Sequence, residues 1–362
     1  MALPPARNTR FLKMVQARAL HDTYKRYRTL QTDRISVLPI VILMPHSACN
    51  CRCVMCDIWK DNKNLKQLTT DDISKLLFSL EKLGTKQVVM SGGEALLNAN
   101  FFKLCELLKQ QNIKISLLTT GLSIKKNAEL LLQWVDDLII SLDGDELLHD
   151  AIRDIPHAFK KMAEGVIHLK ALNPNYRITA RTVIHRLNFR QWPAIIKAAK
   201  NMGVDQISFL PADISSHAFN RQTAWAKPRQ NEILISQREL SELAAVINTL
   251  FEENTIDFKH GYIAESPDKI LDIYKYYAAF HGLNSFPFKK CNAPWVSTVV
   301  EADGTVRPCF FLDALGNIHD DSLYNILNSD ASISFRKQLD MSTNGTCVKC
   351  VCTLNLSPFS QL

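Results

Sequence analysis

Cys49, Cys53 and Cys56 stand in the order Cys-x3-Cys-x2-Cys within one short loop that follows an apolar run. Three thiolates this close can ligate three irons of a [4Fe–4S] cube, and the spacing supplies no fourth sulfur for the last iron. That iron must take its ligand from outside the motif. An open coordination position separates metal sites that do chemistry from those that only hold a fold, as zinc proteins illustrate. A second group closes the chain: Cys291, Cys309, then Cys347-x2-Cys350-x-Cys352. Cys105 falls among the apolar residues Leu104–Leu108 and reads as a small buried hydrophobe.

The elements that must position these thiols follow from periodicity. Strand-like runs cover Ile35–Met44, Gln87–Ser91, Ile113–Thr119, Asp137–Leu142, Arg177–Ile184 and Gln206–Leu210. Helical patterns alternate with them, over 71–83 and near 99–111, 123–135, 156–172 and 190–202. In the first, Ile73, Leu76, Leu77, Leu80 and Leu83 share a face, Thr69-x-x-Asp72 is a start signal and Gly84 a stop. Strands that alternate with helices pair in parallel through right-handed crossovers. The fold expected is α/β, doubly wound or curled into a partial (β/α)6 barrel. Either form places its active site at the carboxyl ends of the strands, where the cysteine loop lies. Residues 212–285 are less regular, with one good helix over 237–253, and the aromatic stretch Tyr274–Tyr277 reads as core.

Four segments are expected: a basic amphipathic helix over 1–35, the α/β body over 36–215, a helical connector over 216–285, and a small cysteine-rich domain over 286–362. The 362 residues carry a formal charge of +7, and residues 1–35 hold eight Lys/Arg against Asp22 and Asp33. Phe11, Leu12, Val15, Ala19, Leu20, Tyr24 and Tyr27 fall at helical spacing there. Such a helix packs on the body with a basic outer face, or touches an anionic membrane peripherally. No basic and then apolar leader opens the sequence, and the run Val37–Met44 is too short to span a bilayer. A cytoplasmic location is expected, where the ten cysteines serve metal or redox chemistry rather than disulfides.

The cysteine loop, set after the first strand of a βα repeat, resembles the radical S-adenosylmethionine (SAM) superfamily. Segments at later strand ends are similar to its other motifs, in the right order: Ser91-Gly92-Gly93-Glu94, Leu118-Thr119-Thr120-Gly121 and Ser141-Leu142-Asp143-Gly144. The resemblance implies that SAM chelates the open iron. Gly92 and Gly93 then allow close backbone approach, and Glu94 accepts from the SAM amino group. Thr119 or Thr120 and Ser141 offer hydroxyls to the sugar or amino-acid part, Asp143 serves the ribose, and Met55 lies against the adenine. Arg153 and Arg181 either meet the SAM carboxylate or form surface ion pairs, and Asn188 is equally open. Cys51 is surplus to the motif. The tail resembles the SPASM domain and its shorter relative, the twitch domain. The turn at Ala302-Asp303-Gly304-Thr305 folds Thr298–Glu301 back on Thr305–Phe311 and brings Cys291 and Cys309 together. One auxiliary [4Fe–4S] cluster on Cys291, Cys309, Cys347 and Cys350 is implied, with Cys352 a substitute for either of the last two. A structural zinc is the alternative that spacing leaves open.

The implied activity is that of a radical SAM oxidoreductase that functionalises C–H bonds. An external one-electron donor of flavodoxin or ferredoxin type reduces the first cluster, SAM is cleaved to a 5′-deoxyadenosyl radical, and hydrogen is abstracted from an unactivated carbon. Only 48 residues precede Cys49, too few for a peptide-recognition domain, which favours a small-molecule substrate over a ribosomally made peptide. A non-catalytic zinc or nucleic-acid binding protein would leave Gly92-Gly93-Glu94 and Ser141-Leu142-Asp143-Gly144 unexplained, so no nucleic-acid partner is expected.

Overall fold

A computed structural model describes residues 23–221 and 223–360. Six parallel strands form its centre: β1 (Ile40–Leu43), β2 (Gln87–Met90), β3 (Lys114–Thr119), β4 (Asp137–Ser141), β5 (Arg177–Ile184) and β6 (Gln206–Pro211). They lie side by side in chain order, the arrangement of a partial (β/α)6 barrel. Along β5 the residues Ile178, Ala180, Thr182 and Ile184 are buried under the helices, while Thr179, Arg181 and Val183 on the opposite face are half-exposed. Alternation of this kind separates a packed outer layer from an inner face left for ligands.

The crossover helices sit close to their expected places. Thr70–Lys82 starts on a full capping box, Thr69 with Asp72, and the chain leaves it through Gly84 at φ +62°. Ile73, Leu76, Leu80 and Leu83 are fully buried against the sheet. Helices Phe101–Lys109, Ala128–Trp134, Ala158–Leu172 and Trp192–Met202 complete the layer. The first strand is shorter than its apolar run predicts, because Ile35–Pro39 is buried as irregular chain under the tail. An additional helix, Glu146–Arg153, follows β4.

The tail does not stand apart. β7 (Ser297–Val300) runs parallel to β1 and completes its hydrogen bonding on the side away from β2. The expected hairpin then returns through β8 (Thr305–Arg307), antiparallel to β7, and a short β9 (Gly316–Asn317) closes a nine-stranded sheet. In the connector, helix Pro267–Phe280 buries Tyr276 and Tyr277, whose hydroxyls bond the chain at Ala212 just beyond β6. The aromatic stretch is core, as its composition predicts.

Residues 1–22 of the basic amino-terminal segment lie outside the described residues. Over 23–32 the chain is helical, with Tyr24 and Tyr27 exposed and Arg26 and Thr29 buried. The face toward the protein is therefore not the one carrying the two tyrosines. Trp295 reaches back to this region and donates to Asp33 at 2.8 Å. Among the described residues no helix is long and apolar enough to cross a membrane.

Candidate active site at the strand ends

The cysteine loop leaves β1 and is tied down from three directions. Glu94 N–H donates to the Ala48 carbonyl at 2.9 Å, and a Cβ on Gly93 would lie 2.2 Å from that same oxygen. The close approach that requires glycine here is to the cysteine loop itself. Gly92, at φ +110°, takes a backbone conformation that side chains disfavour. From helix Glu146–Arg153, the carbonyls of Arg153 and Ile152 accept from Arg52 and Val54 N–H at 2.9 and 3.0 Å. The connector closes the third side: Arg221 reaches the Met55 carbonyl, Arg229 the Val54 carbonyl, and Trp225 donates to Asp57. Arg221 lies over the Trp225 ring at 3.9 Å and forms a buried ion pair with Asp213 at 2.7 Å.

The thiols interact with one another. Cys51 N–H donates to Cys49 Sγ at 3.5 Å, and the buried Cys51 thiol donates to Cys49 and Cys53. Cys53 is held down to about 6 by the bond from Cys51, helped by Arg153 against the cost of burial. The bond from Cys51 and the Arg153 charge both favour the thiolate of Cys53, the form that ligates metal. Cys56 is pushed up to about 12 by burial and by the charges of Cys53 and Cys49. Cys51, surplus by spacing, thus has a hydrogen-bonding place among the three.

The other strand-end motifs are joined to the loop by buried polar contacts. Glu94 accepts from Thr119 Oγ1 at 3.0 Å and from Thr120 N–H and Oγ1, each at 2.7 Å. Burial raises its carboxyl above the usual range, against the pull of these donors. Thr120 Oγ1 also meets Asn50 Oδ1 of the cysteine loop at 3.0 Å. Asp143 is fully buried, accepting from Val183 N–H at 3.0 Å and pairing with Arg153. Each of its two oxygens thus has one protein partner, Val183 N–H on one and Arg153 on the other. The Glu94 carboxylate likewise faces Thr119 and Thr120 at the end of β3. Arg153 is buried, not a surface ion pair, and its Nη1 meets Cys53 Sγ at 3.4 Å. Ser141 sits half-buried at the end of β4 opposite Arg181 of β5, on the inner face. Met55 is buried in the core, and Asn188 is spent on His185 N–H and the carbonyls of Asp143 and Val183.

In the tail, Cys291, Cys309, Cys347, Cys350 and Cys352 line one cavity with Lys289 and Phe311. Burial lifts the Cys309 thiol to about 12, with Cys347 and Cys291 adding to it. A cube takes one thiolate per iron, so thiols spread around a cavity suit it. Among the described residues no three ligating side chains surround a single-ion position. A neighbouring polar cavity of about 280 Å³ lies between Asp213, Ser215 and Ser216 beyond β6 and Asn344, Lys349 and Cys350 of the tail. Sequence reading missed Arg221, Trp225 and Arg229. The signal available was a cluster of arginine and tryptophan in a stretch with no periodicity.

The family model for the radical SAM superfamily matches residues 43–210, and that for an iron–sulfur cluster-binding domain, SPASM, matches 291–351. The chain belongs to the radical SAM superfamily. Membership implies a [4Fe–4S] cluster and SAM, and the SPASM domain implies auxiliary iron–sulfur binding. The donor sets fit: a three-cysteine loop at the strand ends, and five cysteines around one cavity in the tail. This radical SAM protein is 24% identical to an Fe-coproporphyrin III synthase of Methanosarcina barkeri over 68% of the chain and 64% of that relative. It thus spans under two thirds of that relative's length. It is 22% identical to a PqqA peptide cyclase of Bradyrhizobium diazoefficiens over 79% of the chain and 70% of the cyclase. The fold is also that of Streptococcus suis SuiB, in its structure bound to the precursor peptide SuiA: TM-score 0.62, 14% identity, covering 98% of this chain and 78% of SuiB.

Proposed function

We propose that this radical SAM protein holds its catalytic cluster on Cys49, Cys53 and Cys56, and one auxiliary cluster on Cys291, Cys309, Cys347 and Cys350. Its substrate is a small polar molecule, from which a hydrogen atom is removed at an unactivated carbon. When bound, the cluster and SAM supply the one-electron chemistry. The protein's part is to hold and shield. Glu94, Thr119 and Thr120 lock the ends of β2 and β3 to the cysteine loop, and the Asp213–Arg221 pair with Trp225 covers it from the connector. Ser141 and Arg181 present polar groups on the inner face nearby.

The polar cavity of about 280 Å³ beside Cys350 carries the substrate reading. Its size and its lining of Asp213, Ser215, Asn344 and Lys349 suit one metabolite-sized polar group close to the auxiliary site. The relatives divide: one is named a peptide cyclase, another a coproporphyrin synthase. A peptide substrate would place a single side chain in this cavity and leave the rest of its chain outside.

The test is anaerobic reconstitution, reduction and quantification of 5′-deoxyadenosine with fractionated metabolites. Turnover raised by the low-mass fraction is expected. Stimulation by a peptide fraction alone overturns the small-molecule reading, and failure to form 5′-deoxyadenosine on an intact cluster overturns the enzymatic one. Iron of about eight per chain supports two cubes and about four supports one.

A further inference from the structure

Arg153 ends the helix after β4 and points its guanidinium into the floor of the cysteine loop. Nη1 donates to Cys53 Sγ at 3.4 Å, while Nη2 pairs with Asp143. Asp143 is fully buried, accepting from Val183 N–H at 3.0 Å and, through its carbonyl, from Asn188 Nδ2 at 3.0 Å. The Arg153 carbonyl also holds the loop, accepting from Arg52 N–H at 2.9 Å. One arginine therefore fixes the loop's position and directs a positive donor at one of its three motif sulfurs.

We propose that Arg153 raises the reduction potential of the cluster bound by this loop, with Asp143 as the residue that aims it. The inference rests on the reading that Cys49, Cys53 and Cys56 hold that cluster. Reduction adds one electron, supplied by the external donor, and the added negative charge is shared by the cluster and its thiolate ligands. A cationic N–H donor on a ligating sulfur stabilises the reduced form more than the oxidised one, and burial keeps water from screening it. Arg153 is a positioning residue in this scheme: it acts through Cys53.

The experiment is a redox titration of the reconstituted, full-length protein, following by electron paramagnetic resonance the reduced-cluster signal that responds to SAM. In Arg153→Met with full iron content, the ratio of reduced to oxidised cluster at a fixed potential is expected to fall at least tenfold, which is 59 mV for one electron. Arg153→Lys keeps the charge and should restore part of the shift. An unchanged midpoint in Arg153→Met overturns the proposal. If Arg153→Met does not load, Arg153→Gln carries the same measurement with the same criterion. Loss of the cluster from both variants in folded protein, checked by circular dichroism, also overturns it, because Arg153 would then serve assembly. A wild-type cluster whose signal ignores SAM would instead refute the reading beneath the inference.

Discussion

The Glu94 carboxylate accepts both the main-chain N–H and the hydroxyl of Thr120, each at 2.7 Å, in a site closed to solvent. One side chain after β2 thereby fixes the end of β3, and through Thr120 and Asn50 the cysteine loop after β1.

Glu94→Gln should therefore destabilise the protein. The amide turns a donor toward Thr120 N–H on one side or Leu96 N–H on the other, leaving a buried polar group unpaired, at a cost of about 1–3 kcal/mol. Anaerobic urea denaturation measures it. A change below about 0.5 kcal/mol would show that the contacts are not needed.

Gly93→Ala should be worse. The added methyl would sit 2.2 Å from the Ala48 carbonyl oxygen, and backbone cannot yield as a side-chain tip does. A loss at or beyond the upper end of the ~1–3 kcal/mol typical of overpacking is expected, with iron loading at the first loop reduced. Normal iron content and melting temperature would contradict the close approach.

Arg221→Ala removes one partner of a buried ion pair and leaves Asp213 charged in the interior. Such losses cost about 3–5 kcal/mol. Because Arg221 also bonds the Met55 carbonyl, cluster retention should fall together with stability, which iron release during a thermal ramp would follow.

His149 and His185 are fully buried, and burial holds both down to about 4. The unfolded chain binds protons at an ordinary histidine value of about 6.5. Between pH 6.5 and 4 it therefore holds more protons than the folded chain, and stability is lost as pH falls through that window. Denaturation midpoints should drop from pH 7 to pH 5, less steeply in His185→Gln. A flat profile would mean the histidines are protonated in place.

Cys51→Ala should keep the first cluster, while Ala at Cys49, Cys53 or Cys56 should remove about four irons per chain. Equal loss from Cys51→Ala would make it a ligand.

The cysteine loop and the helical faces were legible because their information is local. Thiol spacing is set within eight residues, and Ile73, Leu76 and Leu80 repeat with the helix turn. Gly93 was singled out for its missing side chain, but that this admits Ala48 of the cysteine loop depends on the folded chain. The pairing of Asp143 with Arg153 was not legible, because the helix Glu146–Arg153 was not foreseen and without it nothing places Arg153 beside Asp143. The pairing of β7 with β1 leaves no sequence pattern, since each strand is a short apolar run whose partner is chosen only in three dimensions. The same holds for Arg221 and Trp225, whose role depends on where an irregular connector folds back.

That parallel pairing of Ile40–Leu43 with Ser297–Val300 makes the SPASM domain a structural guard of the barrel. Cut away the tail, and β1 becomes a naked, apolar sheet edge directly beneath the cysteine loop, open to another molecule's strand. A barrel expressed alone should then gather into aggregates through the strand that bears its metal-binding loop. The two thiol sites also share one backbone ladder, so their separation is set by sheet geometry rather than by a swinging linker.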